Sequence, residues 1–278
     1  MTSRTRCRRS VAAAVLLALV VAGCSSSDDT ESTARERATE VVDVVKSAIE
    51  QAREGNEQSS GAVDAGASGV PIRADTRTAF DYEQYQQTVG SVISSLQDYW
   101  RQALPQAFGV EYSDPQRFVY YRSDQGGGPA CGDQPAPAKN AFYCPAGDFI
   151  AWDESGLIIP LYVSSGDFAA GFVLAHEFGH AMQVRLPRQE QAGIVRELQA
   201  DCFAGAWSRH VQDQGLLEAG DLDEATLAVF SARDVPGTPW TDPQAHGSGF
   251  ERTRAFTDGY ESGPKACSPA PVDTWIIG

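Results

Sequence analysis

Histidine is scarce in this chain: four residues in 278, at positions 176, 180, 210 and 246. A metal site built here has few imidazoles to draw on, and a carboxylate is the natural residue to complete its ligand set. The apolar run at residues 11–23 is shorter than the ~20 residues a membrane-spanning helix needs. No Gly-x-Ser-x-Gly turn is present, which excludes the strained serine elbow of an α/β-hydrolase. The glycines at 126–128 are not followed by Lys-Ser/Thr, so they do not form a phosphate loop. Basic residues are outnumbered, 22 Lys and Arg against 37 Asp and Glu, for a formal net charge of −15. Nucleic acid selects basic patches, so it is not an expected partner. No internal repeat is visible.

Against that background stands His176-Glu177-Phe178-Gly179-His180. On a helix, residues four apart lie on one face, so both imidazoles can reach one metal ion. Glu177, beside the first of them, can touch a metal-bound water without being a ligand itself. This is the HExxH arrangement of zinc hydrolases; the plainer alternative is a helix that happens to carry two histidines. Hydrolytic zinc takes three protein ligands and leaves a fourth position for water.

Residues 196–207 read as a second helix, with Ile194, Leu198, Cys202 and Ala206 on one stripe. Glu197 and Asp201 share another face. The seventeen positions from His180 to Glu197 allow the first helix to end, the chain to turn through Pro187, and the second to return antiparallel. Ala200, Ala204, Gly205 and Ala206 imply close packing, and an acid on such a surface needs a partner. Glu197 is the expected third ligand. Asp201 is expected behind it, accepting the second ring N–H of a ligating histidine. The reverse assignment, Asp201 on the metal, is the alternative. His246, in a turn flanked by Gly and Pro, is a candidate donor to the reacting carbonyl or an exposed loop histidine. His210, near a helix end, reads as structural.

With these residues in view, the chain resembles the bacterial putative neutral zinc metallopeptidases. The likeness rests on residues 175–180, on Glu197 to Cys202 with the Ala-Gly-Ala-Trp after it, and on the Cys-Gly to Phe-Tyr-Cys-Pro unit at 131–145. It also rests on His246-Gly247-Ser248 leading through Arg252 and Phe256 to Gly259-Tyr260. Together these span about residues 118–260. The resemblance implies a gluzincin-like site: Zn²⁺ on His176, His180 and Glu197, Glu177 as general base, Asp201 behind a ligand, and His246 belonging to the site. It implies a peptide or protein substrate without naming one. One departure is Ala181, where the family often has a further histidine.

The amino terminus has Arg4, Arg6, Arg8 and Arg9, the apolar run, and then Cys24. This is the layout of a secretory signal. Val21-Ala22-Gly23-Cys24 resembles a lipobox, with cleavage before Cys24 and acylation of its thiol; a plain signal peptide is the alternative. Several acyl chains on one residue give stable anchoring, so an extracytoplasmic, lipid-anchored protein is expected. Cleavage removes four arginines and no acid, moving the formal charge from −15 to −19. With Cys7 leaving in the signal and Cys24 acylated, four cysteines remain. Three pairings are possible, and Cys131–Cys144 with Cys202–Cys267 is preferred: the first closes a Gly- and Pro-rich loop, the second ties the carboxyl end to the Glu197 helix.

Expected organisation is a signal peptide at 1–23, a lipidated terminus and flexible tether at 24–77, a catalytic domain at 78–268 and a tail at 269–278. A helix is expected over 36–53, and a flexible linker over the Gly-, Ser- and Ala-rich 56–69. Tyr85, Val89, Val92, Ile93, Leu96, Tyr99 and Trp100 repeat at helical spacing and read as core. Short β-like runs follow at 118–121, 149–152 and 157–163, with 149–153 as a candidate edge strand for extended substrate. The expected fold is α+β, a zincin-like domain, mainly helical with a small sheet. A membrane-anchored zinc endopeptidase is the leading functional reading; a non-catalytic zincin-fold lipoprotein acting as a scaffold is the rival.

Overall fold

A computed structural model describes residues 27–67, 69–72, 80–187 and 193–268. The signal peptide, Cys24, the expected domain start at residue 78 and the tail all lie outside the described residues. The chain divides into two units, Met1–Val44 and Val45–Gly278, and the second holds the sheet and all the candidate metal-binding residues. Among the described residues no helix is long and apolar enough to cross a membrane.

The architecture is α+β: seven α-helices among the described residues and a four-stranded sheet. Helix α1 (Ser27–Gly55) leads into β1 (Ser60–Ala62), and α2 (Tyr82–Phe108) precedes β2 (Arg117–Tyr121). Strands β3 (Ala141–Cys144) and β4 (Phe149–Asp153) follow, then α3 (Ile159–Ser165) and α4 (Asp167–Arg185). Helices α5 (Gly193–Asp213), α6 (Asp221–Ser231) and α7 (Gly249–Ser262) complete the body. Strand order is β1-β2-β4-β3, antiparallel except for the parallel β2–β4 pair.

Helix α2 forms where the apolar spacing places it. Asp81 caps its start, accepting from the Gln84 N–H at 2.9 Å, and Gly109 closes it at φ 68°. Every residue of the expected stripe is buried. Helix α4 is apolar on nearly all sides because it runs through the centre, against α2, α5, α6 and the sheet. Phe178 stacks on Phe118 of β2, and Phe168 stacks on Trp207 of α5.

Three expectations are corrected. Residues 56–69 are not all linker. Ser60–Ala62 pairs with β2, the Gly66 N–H donates to Gly90 O at 2.8 Å, and Ala48 and Ala52 are buried. The small residues serve close packing: a Cβ on Gly61 would lie 2.8 Å from the Tyr120 ring. Parts of the stretch expected as tether over 24–77 are therefore packed, at Ala48, Ala52, Ser60–Ala62 and Gly66. Residues 157–163 are helical, the first two ending a π-turn over Glu154–Ile158 and the rest lying in α3, since Asp153 caps the turn through the Gly156 N–H. Strand β4 is interior; the edge strands are β1 and β3, and β3 is the one beside Glu177.

Disulfides join Cys131 to Cys144 and Cys202 to Cys267, the preferred pairing. The second fastens α5 to the turn after α7. Those two helices cross at near backbone contact: a Cβ on Gly205 would stand 1.9 Å from Phe256 O, and one on Gly259 1.8 Å from Cys202 O. Gly259→Ala should therefore destabilise by about 1–3 kcal/mol, although alanine favours an isolated helix by about 1 kcal/mol. Urea denaturation of the two proteins measures this, and an unchanged midpoint would count against the close crossing.

Candidate metal centre

His176 and His180 lie one turn apart on α4, and Glu197 reaches them from α5. The helices approach closely because residue 179 is glycine: a Cβ there would lie 3.0 Å from both Cα and O of Ala200. His176 Nε2 is 3.2 Å from His180 Nε2 and 3.2 Å from Glu197 Oε2, and His180 Nε2 is 3.4 Å from Glu197 Oε1. Ligands about 2.0–2.1 Å from a tetrahedral zinc stand about 3.3 Å apart. The three spacings match that edge.

The outer ring nitrogens fix what the inner ones present. His176 Nδ1 lies 2.8 Å from Asp201 Oδ1, so it carries a proton and donates it. His180 Nδ1 lies 3.0 Å from Gln183 Oε1, whose amide nitrogen in turn donates to Arg196 O. Both Nδ1 atoms are donors, leaving the two Nε2 lone pairs facing each other and a carboxylate. Such a triplet requires a cation. It can be a proton or a metal ion, and the donor set of two imidazoles and one carboxylate fits zinc.

Asp201 is fully buried and holds more than the histidine. Arg252, from α7, reaches its two oxygens with Nε and Nη2, each at 2.8 Å. The guanidinium also donates to Ala232 O at 2.6 Å. Sequence reasoning gave Arg252 no role. Its signal was a register: Arg252, Phe256 and Gly259 share the buried face of α7, and a buried Asp201 demanded a cation. Gln183 was also missed, although it stands three residues past His180 on the same face.

Glu177 is buried and accepts from the Tyr143 N–H of β3 at 2.9 Å. His246 makes no hydrogen bond or ion pair with these residues. Its ring is about half exposed, with Nδ1 3.5 Å from Asp234 Oδ1, while its backbone N–H and that of Gly247 donate to Asp234 Oδ2. Asp234 claims the turn and directs the imidazole to itself. His210 packs against Tyr99 with ring centroids 5.0 Å apart, away from the metal residues.

Comparisons with known proteins identify the family. The family described as "Putative neutral zinc metallopeptidase" matches residues 63–270. The chain is 34% identical over 201 residues to the "Uncharacterized protein YpfJ" of Escherichia coli (strain K12), covering 64% of this chain and 68% of that one. It is 30% identical over 223 residues to the "Uncharacterized protein Rv2575" of Mycobacterium tuberculosis (strain H37Rv), covering 69% of this chain and 73% of the relative. No solved structure gives a significant match.

Without metal, the charge balance falls on His176. Burial alone would lower its pKa, but Asp201 and Glu197 outweigh burial and push it up from 6.5 to about 10. A raised histidine contributes stability that is complete below its unfolded value and lost as pH rises through its folded value. The metal-stripped protein should therefore lose stability between about pH 6.5 and 10, while the zinc-loaded protein should not show that loss. Urea midpoints of both forms across this window provide the check; parallel curves would contradict the reading.

Proposed function

Because the chain belongs to the putative neutral zinc metallopeptidase family, we propose that it is a zinc-dependent endopeptidase with a zincin-like site. The observation that carries this is the convergence of His176 Nε2, His180 Nε2 and Glu197 within 3.4 Å, with Glu177 held beside them. His176, His180 and Glu197 would hold the metal. Zinc, when bound, supplies a Lewis acid for the scissile carbonyl and lowers the pKa of a water to about 7.

The chain's own residues supply the remainder. Glu177 takes a proton from the attacking water as its oxygen bonds to the carbonyl carbon, then passes it to the amide nitrogen as the C–N bond breaks. The Tyr143 N–H fixes the Glu177 carboxylate, so its free oxygen has a defined direction. Asp201 and Arg252 hold the His176 ring in one orientation and tautomer. Neither touches substrate.

Strand β3 supports a peptide substrate. Alternate residues of an antiparallel strand turn their backbone polar groups to opposite sides. Because the Tyr143 N–H reaches Glu177, Ala141 and Tyr143 are the residues whose backbones face away from β4. The Ala141 N–H and C=O and the Tyr143 C=O are thereby left along the rim of the site, where an extended peptide can add as a strand.

Lipid anchoring through Cys24 outside the cytoplasm completes the proposal. It is supported by the arginine-rich, apolar sequence before Cys24 and by two disulfides, which persist in oxidising compartments. Cys24→Ala in a bacterial host should move the protein from the membrane fraction to the soluble one; unchanged membrane fractionation would contradict anchoring at that residue.

The catalytic reading is tested by Glu177→Gln. About one zinc per chain is expected in parent and variant alike, with cleavage of unfolded peptides lowered at least about 100-fold in the variant. A zinc-loaded parent that cleaves no peptide from a broad library would favour the scaffold reading instead.

A further inference from the structure

A second group of acids lies at the other end of the zinc helix. Asp167 is the first residue of α4, nine positions before His176 and so about 14 Å along the helix. Helix α6 begins beside it with Asp221, preceded by Glu218 and followed by Glu224. Asp167, Glu218 and Asp221 each offer a carboxylate oxygen, and these oxygens all lie within 4.8 Å of one another. Glu224 borders the group, accepting from the Phe168 N–H at 3.0 Å and so capping α4 from a different helix. Gly166, at φ 109°, makes that approach possible, since a Cβ there would meet the Glu224 carboxylate at about 2 Å.

Facing helix N-termini stabilise acids, but each is equivalent to only about half a positive charge. Among the described residues, Asp167, Glu218 and Glu224 form no ion pair with a basic side chain. Asp167 is 1% exposed, and its Oδ2 has no hydrogen-bond partner. A buried carboxylate oxygen left this way is costly. The strain is visible in protonation: burial first, then neighbouring acids, push Asp167 and Glu224 each up to about 7.

We infer that Asp167, Glu218 and Asp221 form a structural calcium site that pins the start of the zinc helix α4 to α6. Oxygen-only donors suit a hard cation, with neither histidine nor cysteine to attract a softer one. Oxygens across a calcium ion with bonds of about 2.3–2.6 Å stand about 4.6–5.2 Å apart, which the cluster can span. Glu218 is exposed, so the group meets solvent on that side, where waters can complete calcium coordination. The site is independent of the zinc chemistry, because it shares the helix and none of the zinc-binding residues.

The test is calorimetric titration of the zinc-loaded full chain with CaCl₂, alongside its melting temperature. One calcium per chain with Kd on the order of 0.1–1 mM is expected. At 10 mM calcium, Tm should rise by about 3–10 °C, and magnesium should have a smaller effect. Asp167→Asn should abolish binding. Glu218→Gln, at an exposed position, should fold as the parent does and bind about 10-fold more weakly, so the test survives a poorly folding Asp167 variant. A flat titration with unmoved Tm, equal binding by parent and Glu218→Gln, or an equal response to magnesium would overturn the assignment.

Discussion

Helix α5 lies between α4 and α7 at distances that admit almost no side chain, and the functional geometry follows from that. Gly179 meets Ala200 on one side, and Gly205 and Gly259 bring the backbones together on the other. Only at such separations can Glu197 reach the two imidazoles of α4 while Asp201, one turn later, touches both His176 and Arg252. Bulk at any of these crossings would move the third ligand away from the first two. The Cys202–Cys267 bond lies in the same layer and fastens it covalently.

Charge then decides what this packing can hold. Arg252 neutralises Asp201, Asp201 orients His176, and His176 turns its lone pair toward His180 and Glu197. Each buried group has a partner until the chain of pairings reaches the three inward-facing atoms. There the partner must come from outside the protein. A related case stands at the amino-terminal end of α4, where the buried Asp167 leaves one carboxylate oxygen without a hydrogen-bond partner. Helix α4 thus carries the inward-facing His176 and His180 at its middle and the orphaned Asp167 oxygen at its start.

Much of this was legible because it depends on spacing within one helix. The HExxH pair, the Glu197/Asp201 face and the α2 stripe are statements about a period of 3.6 residues, and the fold preserves them. The cysteine pairing followed from which segments most needed fastening. What escaped depends on contacts between distant segments. Gly61 and Gly66 read as linker because glycine's freedom and its small size leave the same mark in a sequence; only Tyr120 and Gly90 opposite them show that size is what matters. The apolar run at 157–163 has no period long enough to separate strand from helix, and the cap at Asp153 decides for helix. Strand β4 could not be recognised as interior, because order within a sheet is not a local property. For His246, the turn was recognisable but the hold of Asp234 on it was not.

X-ray absorption at the zinc edge of the purified protein tests the shared cation most directly. A first shell of two imidazole nitrogens with oxygen at about 2.0–2.2 Å is expected, with one imidazole contribution lost in either His176→Ala or His180→Ala. A shell without imidazole, or one containing sulfur at about 2.3 Å, would contradict the convergence of His176, His180 and Glu197 on one ion.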